Sequence, residues 1–225
     1  MKNYMIIILD SVGYEQFVKV GHENIDKIGK AKPAYSHTTW TQPALLCFMK
    51  GFFPIPKEKG YKRPIETPIE IINLKDYLKG YHFYCFSTNP NIYLVPGFSE
   101  MFDNIVYENG SENFMESDRR LITKLITKID NFRKPFFCYV HLTSTHWPFL
   151  GYREWDEKGM EMQRKAIEEI DRLLSPVFEK LKGSNTHVLI TADHAEIFGK
   201  EIRGHDPRNC VDPKLLEVFL VEGNL

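Results

Sequence analysis

Continuous apolar runs, rich in β-branched and aromatic residues, alternate along this chain with segments of helical periodicity. The five runs are YMIIIL, YHFYCF, PFFCYVHL, THVLIT and LEVFLV, at residues 4–9, 81–86, 135–142, 186–191 and 216–221. Strands that are apolar on both faces are typical of a parallel sheet with helices on either side. The runs therefore predict the strands of one buried sheet.

Helical patterns fill the intervals between these strands. They lie at about residues 42–50, 69–79, 112–131 and 158–182. Regular alternation of strand and helix predicts an α/β fold of three layers, α/β/α, with a mostly parallel central sheet. A charged stretch with glycine and prolines at 57–68 indicates a surface excursion, and we expect a single domain over residues 1–225.

The charge and the cysteine content limit the classes of binding partner and the cellular compartment that the sequence favours. The formal net charge is -1 and the charged residues are interspersed, which argues against a nucleic-acid tract or a patch for anionic membranes. The first apolar run, residues 5–9, is too short for a signal sequence or a membrane span. The cysteines lack C-x-x-C spacing, which predicts reduced thiols and a cytoplasmic location; they are Cys47, Cys85, Cys138 and Cys210.

Acids and imidazoles follow several of the predicted strands. In open α/β sheets, ligands bind beyond the carboxyl ends of the strands, so these side chains are expected at one edge. Carboxylates with imidazoles suit zinc or manganese, and oxygen-rich sets suit magnesium or calcium. Each residue alone is explained as a turn former, a helix cap or a buried histidine, but the combination indicates a metal site. The residues are Asp10, His141, His146, Asp193 and His194.

A reacting group for such a site is found in HTTWTQPALLCFMKGFFP, residues 37–54. A helix beginning at Gln42 or Pro43 places the proline in the first turn and leaves Thr41 at the N-cap. An N-cap hydroxyl lies beside unpaired backbone N–H groups, which favour anions such as phosphate, and a nearby metal would favour its alkoxide. Plain helix capping is the alternative role.

Together these segments resemble the alkaline phosphatase and sulfatase superfamily. The nucleophile, the proline two residues later and Gly-x-x-Pro match TQPALLCFMKGFFP, and the Gly-Phe-Asp segment is similar to GFSEMFDNIV, with Ser99 in place of the acid. A strand ending in Thr-His-x-Pro resembles FFCYVHLTSTHWPF, and a long helix precedes TADHAEIF much as it precedes Ser-Asp-His-Gly-Glu in the family. With IIILDS, the matches fall in order over residues 6–11, 41–54, 97–106, 136–149 and 167–198.

The resemblance implies an alkaline-phosphatase-like core and a divalent metal, zinc or manganese, in one tight site. The implied metal ligands are Asp10, Thr41, Asp193 and His194. It further implies that Thr41 attacks phosphorus in line and forms a phosphothreonine. His146 and His205 would contact the ester and protonate the leaving group, or hold a second, weaker metal.

Departures from the family pattern refine this expectation. Formylglycine sulfatases carry cysteine or serine with a nearby arginine, whereas this chain has Thr41, and Leu45 where the arginine would fall. Ser11 stands in place of a second acid, and no Asp-x-x-x-His segment indicates a two-zinc phosphatase. Ala195 replaces a glycine, which would strain the site if that position needs positive φ. The C-terminal subdomain of larger members is expected to be lacking.

These features predict a metal-dependent hydrolase of small-molecule phosphoric esters, either a phosphatase or a phosphodiesterase. A phosphotransferase of the phosphoethanolamine-transferase type shares the same first half-reaction. A non-catalytic protein that binds a ligand or partner on the inherited fold is the alternative from another class. The presence or absence of bound metal separates this last alternative from the other two.

Overall fold

A seven-stranded sheet forms the centre of the part of the chain that the computed structural model describes, residues 1–50, 74–110, 113–199, 203–205 and 212–225. The predicted excursion at 57–68, the Gly-x-x-Pro segment at 51–54 and Cys210 lie outside these residues. The strands are β1 (Asn3–Leu9), β2 (Lys32–Tyr35), β3 (His82–Ser87), β4 (Asn104–Tyr107), β5 (Phe136–Leu142), β6 (Thr186–Thr191) and β7 (Glu217–Asn224).

The strand order is β2-β7-β6-β1-β5-β3-β4. From β6 to β4 every neighbouring pair is parallel, whereas β7 is antiparallel to both of its neighbours. The predicted mostly parallel sheet is thus confirmed, with a reversed strand near one edge. The chain leaves β6 at its carboxyl end and begins β7 at that same edge, so the connection between them borders the carboxyl edge of the sheet.

Helices cover both faces of the sheet. They are α1 (Tyr14–Phe17), α2 (Glu23–Asp26), α3 (Thr41–Lys50), α4 (Leu74–Tyr77), α5 (Asn91–Leu94), α6 (Phe114–Lys128) and α7 (Glu157–Leu181). On one face, α6 and α7 pack against β1 and β5, burying side chains such as Ile7, Val140, Leu121, Ile167 and Ile170. On the other face, α3 and α5 cover Ile8 and Tyr139 with Leu45, Leu46 and Ile92. The predicted α/β/α layering is confirmed.

Two strands were not predicted, β2 and β4. Each has only four residues, and β2 contains Pro33 and is largely exposed, so neither produces a long apolar run. Helix α3 also begins one residue earlier than predicted, because Ala44 N donates to Trp40 O at 3.4 Å and makes Thr41 the first helical residue. Within the described ranges, no helix is both long and apolar enough to cross a membrane.

Near the end of β7, the backbone of Gly223 lies close to the backbone of Ile28. A substitution at Gly223 therefore tests this packing. A Cβ at Gly223 would lie 1.9 Å from the carbonyl oxygen of Ile28, so only glycine fits. We expect Gly223→Ala to lower the free energy of unfolding by about 1–3 kcal/mol, measured by urea denaturation. Gly21→Ala, with nothing within 4 Å of the added Cβ, is the matched control and should change it by less than about 0.5 kcal/mol. Equal stability of both variants would contradict the packing.

Candidate active site

Two buried carboxylates lie at the carboxyl edge of the sheet. Asp10 directly follows β1 and Asp193 lies just beyond β6, its parallel neighbour; they are 0% and 7% exposed. The imidazole of His194 lies beside both, with Nε2 3.7 Å from Asp10 Oδ1 and 3.5 Å from Asp193 Oδ2. The adjacency of the two strand ends in the sheet therefore brings together residues that are far apart in sequence.

Thr41 joins this group from the first turn of α3. Its side chain is buried, and its Oγ1 lies 3.4 Å from Nε2 of His194. The helix that begins at Thr41 directs its positive end and its unpaired N–H groups towards this edge, where they favour a negatively charged group. The predicted metal ligands Asp10, Thr41, Asp193 and His194 are thus close together in the structure.

The spacing of these atoms fits a divalent cation. Tetrahedral zinc with bonds of about 2.0 Å separates its ligand atoms by about 3.3 Å. The three oxygens around His194 Nε2 lie at 3.4, 3.5 and 3.7 Å, close to that value. Asp193 Oδ2 is buried and has no hydrogen-bond partner among the described residues, as expected of an atom that ligates a metal.

The orientation of His194 suits ligation as well. Its Nδ1 lies 2.9 Å from the carbonyl oxygen of Ala195. Because a carbonyl only accepts, Nδ1 carries the hydrogen, and Nε2 presents its lone pair to the carboxylates and Thr41. A metal-binding histidine commonly donates its other N–H in this way.

The second oxygen of Asp10 is held from the other side. Oδ2 accepts from Asn89 Nδ2 at 2.6 Å and lies 3.1 Å from His141 Nε2, while Tyr139 OH lies 2.8 Å from His141 Nδ1. His141 therefore contacts Asp10 directly, although the resemblance does not count it among the metal ligands. Ligand atoms of Asp10, His141 and Asp193 all lie within 4.8 Å of one another, so His141 is a further candidate ligand.

Charge and burial set the protonation of these groups. Burial alone would raise the pKa of Asp10, but the charge of His146 and the hydrogen bond from His141 outweigh it and hold that pKa well below its usual range. Burial lowers the pKa of His194, which favours the neutral imidazole that a metal requires. Burial opposes the charged form of His141, yet the hydrogen bond to Asp10 raises its pKa.

The two predicted substrate-side histidines meet beside the predicted metal ligands. The ring of His205 is 4.4 Å from that of His194 and 5.1 Å from that of His146, centroid to centroid. Nδ1 of His146 donates to Trp147 O at 2.6 Å. Nδ1 of His205 lies 3.0 Å from Oε2 of the buried Glu196. The pKa of His205, which burial would lower, is raised to about 9 by Glu196, so this imidazole is protonated at neutral pH.

Tryptophan side chains support these two histidines from the outside. Trp147, next to His146, stacks on Trp155 with a centroid separation of 5.4 Å and an interplanar angle of 3°. Trp155 Nε1 in turn donates to Glu196 Oε1 at 2.9 Å. A continuous set of contacts therefore joins the segment of His146 to the carboxylate that holds His205.

Some residues of this site were not predicted from the sequence. Asn89 lies just beyond β3, so applying the strand-end rule to that strand would have found it. Asp118 and Gln163 occupy the buried stripes of α6 and α7, where a polar residue is a detectable anomaly. Asp118 accepts from Thr88 Oγ1 at 2.6 Å and Ser144 N at 2.8 Å, and so joins the turns after β3 and β5.

Ala195 does not introduce the strain considered above. The described non-glycine residues with positive φ are Ser11, Leu150 and Asn185, so position 195 has no need of glycine. The space for its methyl group is left by Gly13, where an added Cβ would lie 3.2 Å from Ala195 Cβ. The left-handed residue of the site is instead Ser11, with φ of 65°, directly after Asp10.

The chain belongs to the sulfatase family, whose model, described as Sulfatase, matches residues 2–222. Among curated proteins it is similar to lipoteichoic acid synthase 1 of Bacillus subtilis, with 22% identity over 221 residues, covering 81% of this chain and 34% of that protein. The chain therefore spans about a third of the length of that relative. The resemblance inferred from the motifs is confirmed.

Solved structures of this superfamily share the fold. A Vibrio parahaemolyticus protein in the alkaline phosphatase superfamily has a TM-score of 0.65 and 22% identity, covering 99% of this chain and 60% of that one. The C-terminal periplasmic domain of EptC from Escherichia coli, solved in complex with Zn, has a TM-score of 0.73 and 15% identity, covering 99% and 72%. The predicted cytoplasmic location stays a prediction, since that similar domain is periplasmic.

Metal addition tests the centre directly. At a zinc or manganese concentration about 100 times the dissociation constant, binding should stabilise the native state by about 2.7 kcal/mol, raising Tm by about 5–10 °C in thermal unfolding. Asp193→Asn should lose this shift because it removes a charged ligand. Asp130→Asn, at an exposed carboxylate paired with Lys180, is the control and should keep it. An unchanged Tm of the wild type with both metals would contradict the metal centre and favour a non-catalytic binding protein.

Proposed function

We propose that this protein is a metal-dependent hydrolase of phosphoric esters that uses Thr41 as its nucleophile. The observation that supports this most directly is the position of Thr41 Oγ1, 3.4 Å from His194 Nε2, beside two buried carboxylates and in the first turn of a helix. A hydroxyl in that position lies where a cation would lower its pKa and where backbone N–H groups would hold an anion.

The proposed metal ligands are Asp10, Thr41, Asp193 and His194, with zinc or manganese as the cation. When bound, such a cation supplies Lewis-acid polarisation of the phosphoryl oxygens and favours the deprotonated hydroxyl. His141 and Asn89 hold Asp10 Oδ2, which leaves Oδ1 towards His194. The chain thus orients one carboxylate oxygen and leaves Asp193 Oδ2 unpaired for the same purpose.

In the first half-reaction Thr41 Oγ1 gives up its proton to solvent and forms a bond to phosphorus as the bond to the leaving oxygen breaks. The leaving alkoxide needs a proton, and His205 is the donor we assign, because its pKa is raised to about 9 and its Nδ1 is already engaged by Glu196. Its Nε2–H is then the proton to be donated. Water attacks the phosphothreonine in the second half-reaction, releasing phosphate or a phosphate monoester and restoring Thr41. His146 contacts the ester from the neighbouring loop.

Substitution of Thr41 tests this assignment. Thr41→Ala should lower kcat on an aryl phosphate monoester or diester by at least about 1000-fold, since the covalent intermediate can no longer form. Thr41→Ser should retain measurable turnover. Rapid-quench mass spectrometry of the wild type with substrate should find a phosphoryl group on the peptide that contains Thr41.

Thr38→Ala is a matched control for that experiment. It removes a hydroxyl from the same segment, where Thr38 Oγ1 donates to Trp40 O at 3.0 Å. We expect it to change kcat by less than about tenfold, because the partner of that hydroxyl is a backbone carbonyl and not a proposed metal ligand. Full activity of Thr41→Ala would rule out the nucleophile while leaving the metal centre to be judged by the thermal shift.

Transfer to an alcohol is the second candidate, favoured by the likeness to lipoteichoic acid synthase 1 and to the phosphoethanolamine transferase EptC. Transfer has the same first half-reaction as hydrolysis. It differs only in that an alcohol, and not water, attacks the phosphothreonine. With a phosphodiester donor and increasing glycerol, a transferase should form a glycerol phosphodiester at the expense of the hydrolysis product, measured by ³¹P NMR. A product ratio that stays at hydrolysis alone would exclude transfer to that acceptor.

A further inference from the structure

A buried glutamine on α7 joins two turns of the site. Gln163 is 0% exposed and lies in the stripe of α7 that buries apolar residues such as Ile167 and Ile170. Its Nε2 donates to Ser11 O and to Thr145 O, both at 3.0 Å. Ser11 directly follows Asp10, and Thr145 directly precedes His146, so one amide group spans the turns after β1 and β5.

Ser11 is held in a conformation that serine rarely adopts. Its φ of 65° places it in the left-handed region, which is unfavourable for a residue with a side chain. Its N–H donates to Asp193 Oδ1 at 3.2 Å, its Oγ donates to Asp10 Oδ1 at 3.0 Å, and its carbonyl accepts from Gln163. Ser11 therefore links both buried carboxylates, and Gln163 is the partner that reaches it from the helical layer.

The direction of the Gln163 amide follows from its partners. Both are backbone carbonyls, which only accept, so the NH₂ group must face them; the reversed amide would place three oxygens together. Gln163 Oε1 has no partner among the described residues, so the two donated bonds alone orient the amide. The second bond reaches Asp10 as well, because Thr145 Oγ1 donates to the backbone carbonyl of Asp10 at 2.6 Å.

We propose that Gln163 is a positioning residue: it fixes Ser11 and Thr145, and through them sets the placement of Asp10 and His146 relative to Asp193. This inference rests on the proposed function to the extent that Asp10 and Asp193 bind a divalent metal. Gln163 touches neither the metal nor the ester in this role. It acts by keeping two strand-end turns at a fixed separation.

Gln163→Met tests the proposal because methionine has a similar size but donates no hydrogen bond. We expect it to weaken zinc binding by about 10- to 100-fold, the loss seen when groups that orient metal ligands are removed. The affinity is measured by zinc titration against a competing chelator, at a temperature where circular dichroism shows each variant to be folded. A loss of general stability alone would not move this affinity.

Asp171 on the same helix provides a matched control. Its carboxylate is also buried, but it accepts from Asn24 N and Ile25 N and so holds α2, away from the site. Asp171→Asn should lower Tm while leaving the zinc affinity within about twofold of the wild type. Gln163→Asn, whose amide is one methylene too short to reach both carbonyls, carries the test if Gln163→Met does not fold, and it should weaken zinc binding by about tenfold.

The outcomes separate this proposal from the proposed function. Zinc affinity of a folded Gln163 variant within about twofold of the wild type overturns the positioning role and leaves the metal centre intact. An equal loss in the Asp171 variant also overturns it, since the effect would then be one of general stability. Failure of the wild type to bind zinc or manganese removes the proposed function itself. Selective loss in the Gln163 variants supports the proposal.

Discussion

The burial of two carboxylates at one edge of the sheet is the constraint on which the rest of the site depends. Asp10 and Asp193 are removed from water at the ends of adjacent parallel strands, and buried like charges are costly without compensation. Hydrogen bonds donated by Ser11, Asn89 and His194 offset part of this cost of burial. Asp193 Oδ2 has no hydrogen-bond partner among the described residues and lies 3.5 Å from the imidazole of His194, so it is the oxygen left for a cation.

Much of this arrangement could be predicted because its signals are local. The apolar runs of β1, β5 and β6 are long, and an acid directly after such a run is conspicuous, so Asp10 and Asp193 could be assigned to one edge before any coordinates existed. Pro43 indicated the start of α3 to within one residue. The resemblance then supplied the implied roles of Thr41, His146 and His205, which strand periodicity alone does not give.

The features that could not be predicted from the sequence depend on tertiary structure. The direction of β7 follows from where its connection runs, and β2 exists only because β7 offers it an edge. The pairing of His205 with Glu196 needs the chain to fold back, since nothing in the spacing of the two residues requires it. Gln163 appears on a helical diagram as one polar residue in an apolar stripe. Its two hydrogen bonds are evident only once the turns that contain Ser11 and Thr145 are in place.

The stacked indoles of Trp147 and Trp155 have a mechanical consequence. One ring adjoins His146 and the other donates to the carboxylate of Glu196, which holds His205, so the two imidazoles are joined through one stack of rings. A ligand that displaces one histidine must also displace the other or separate the rings. We therefore expect the two histidines to respond to a bound ligand as one unit.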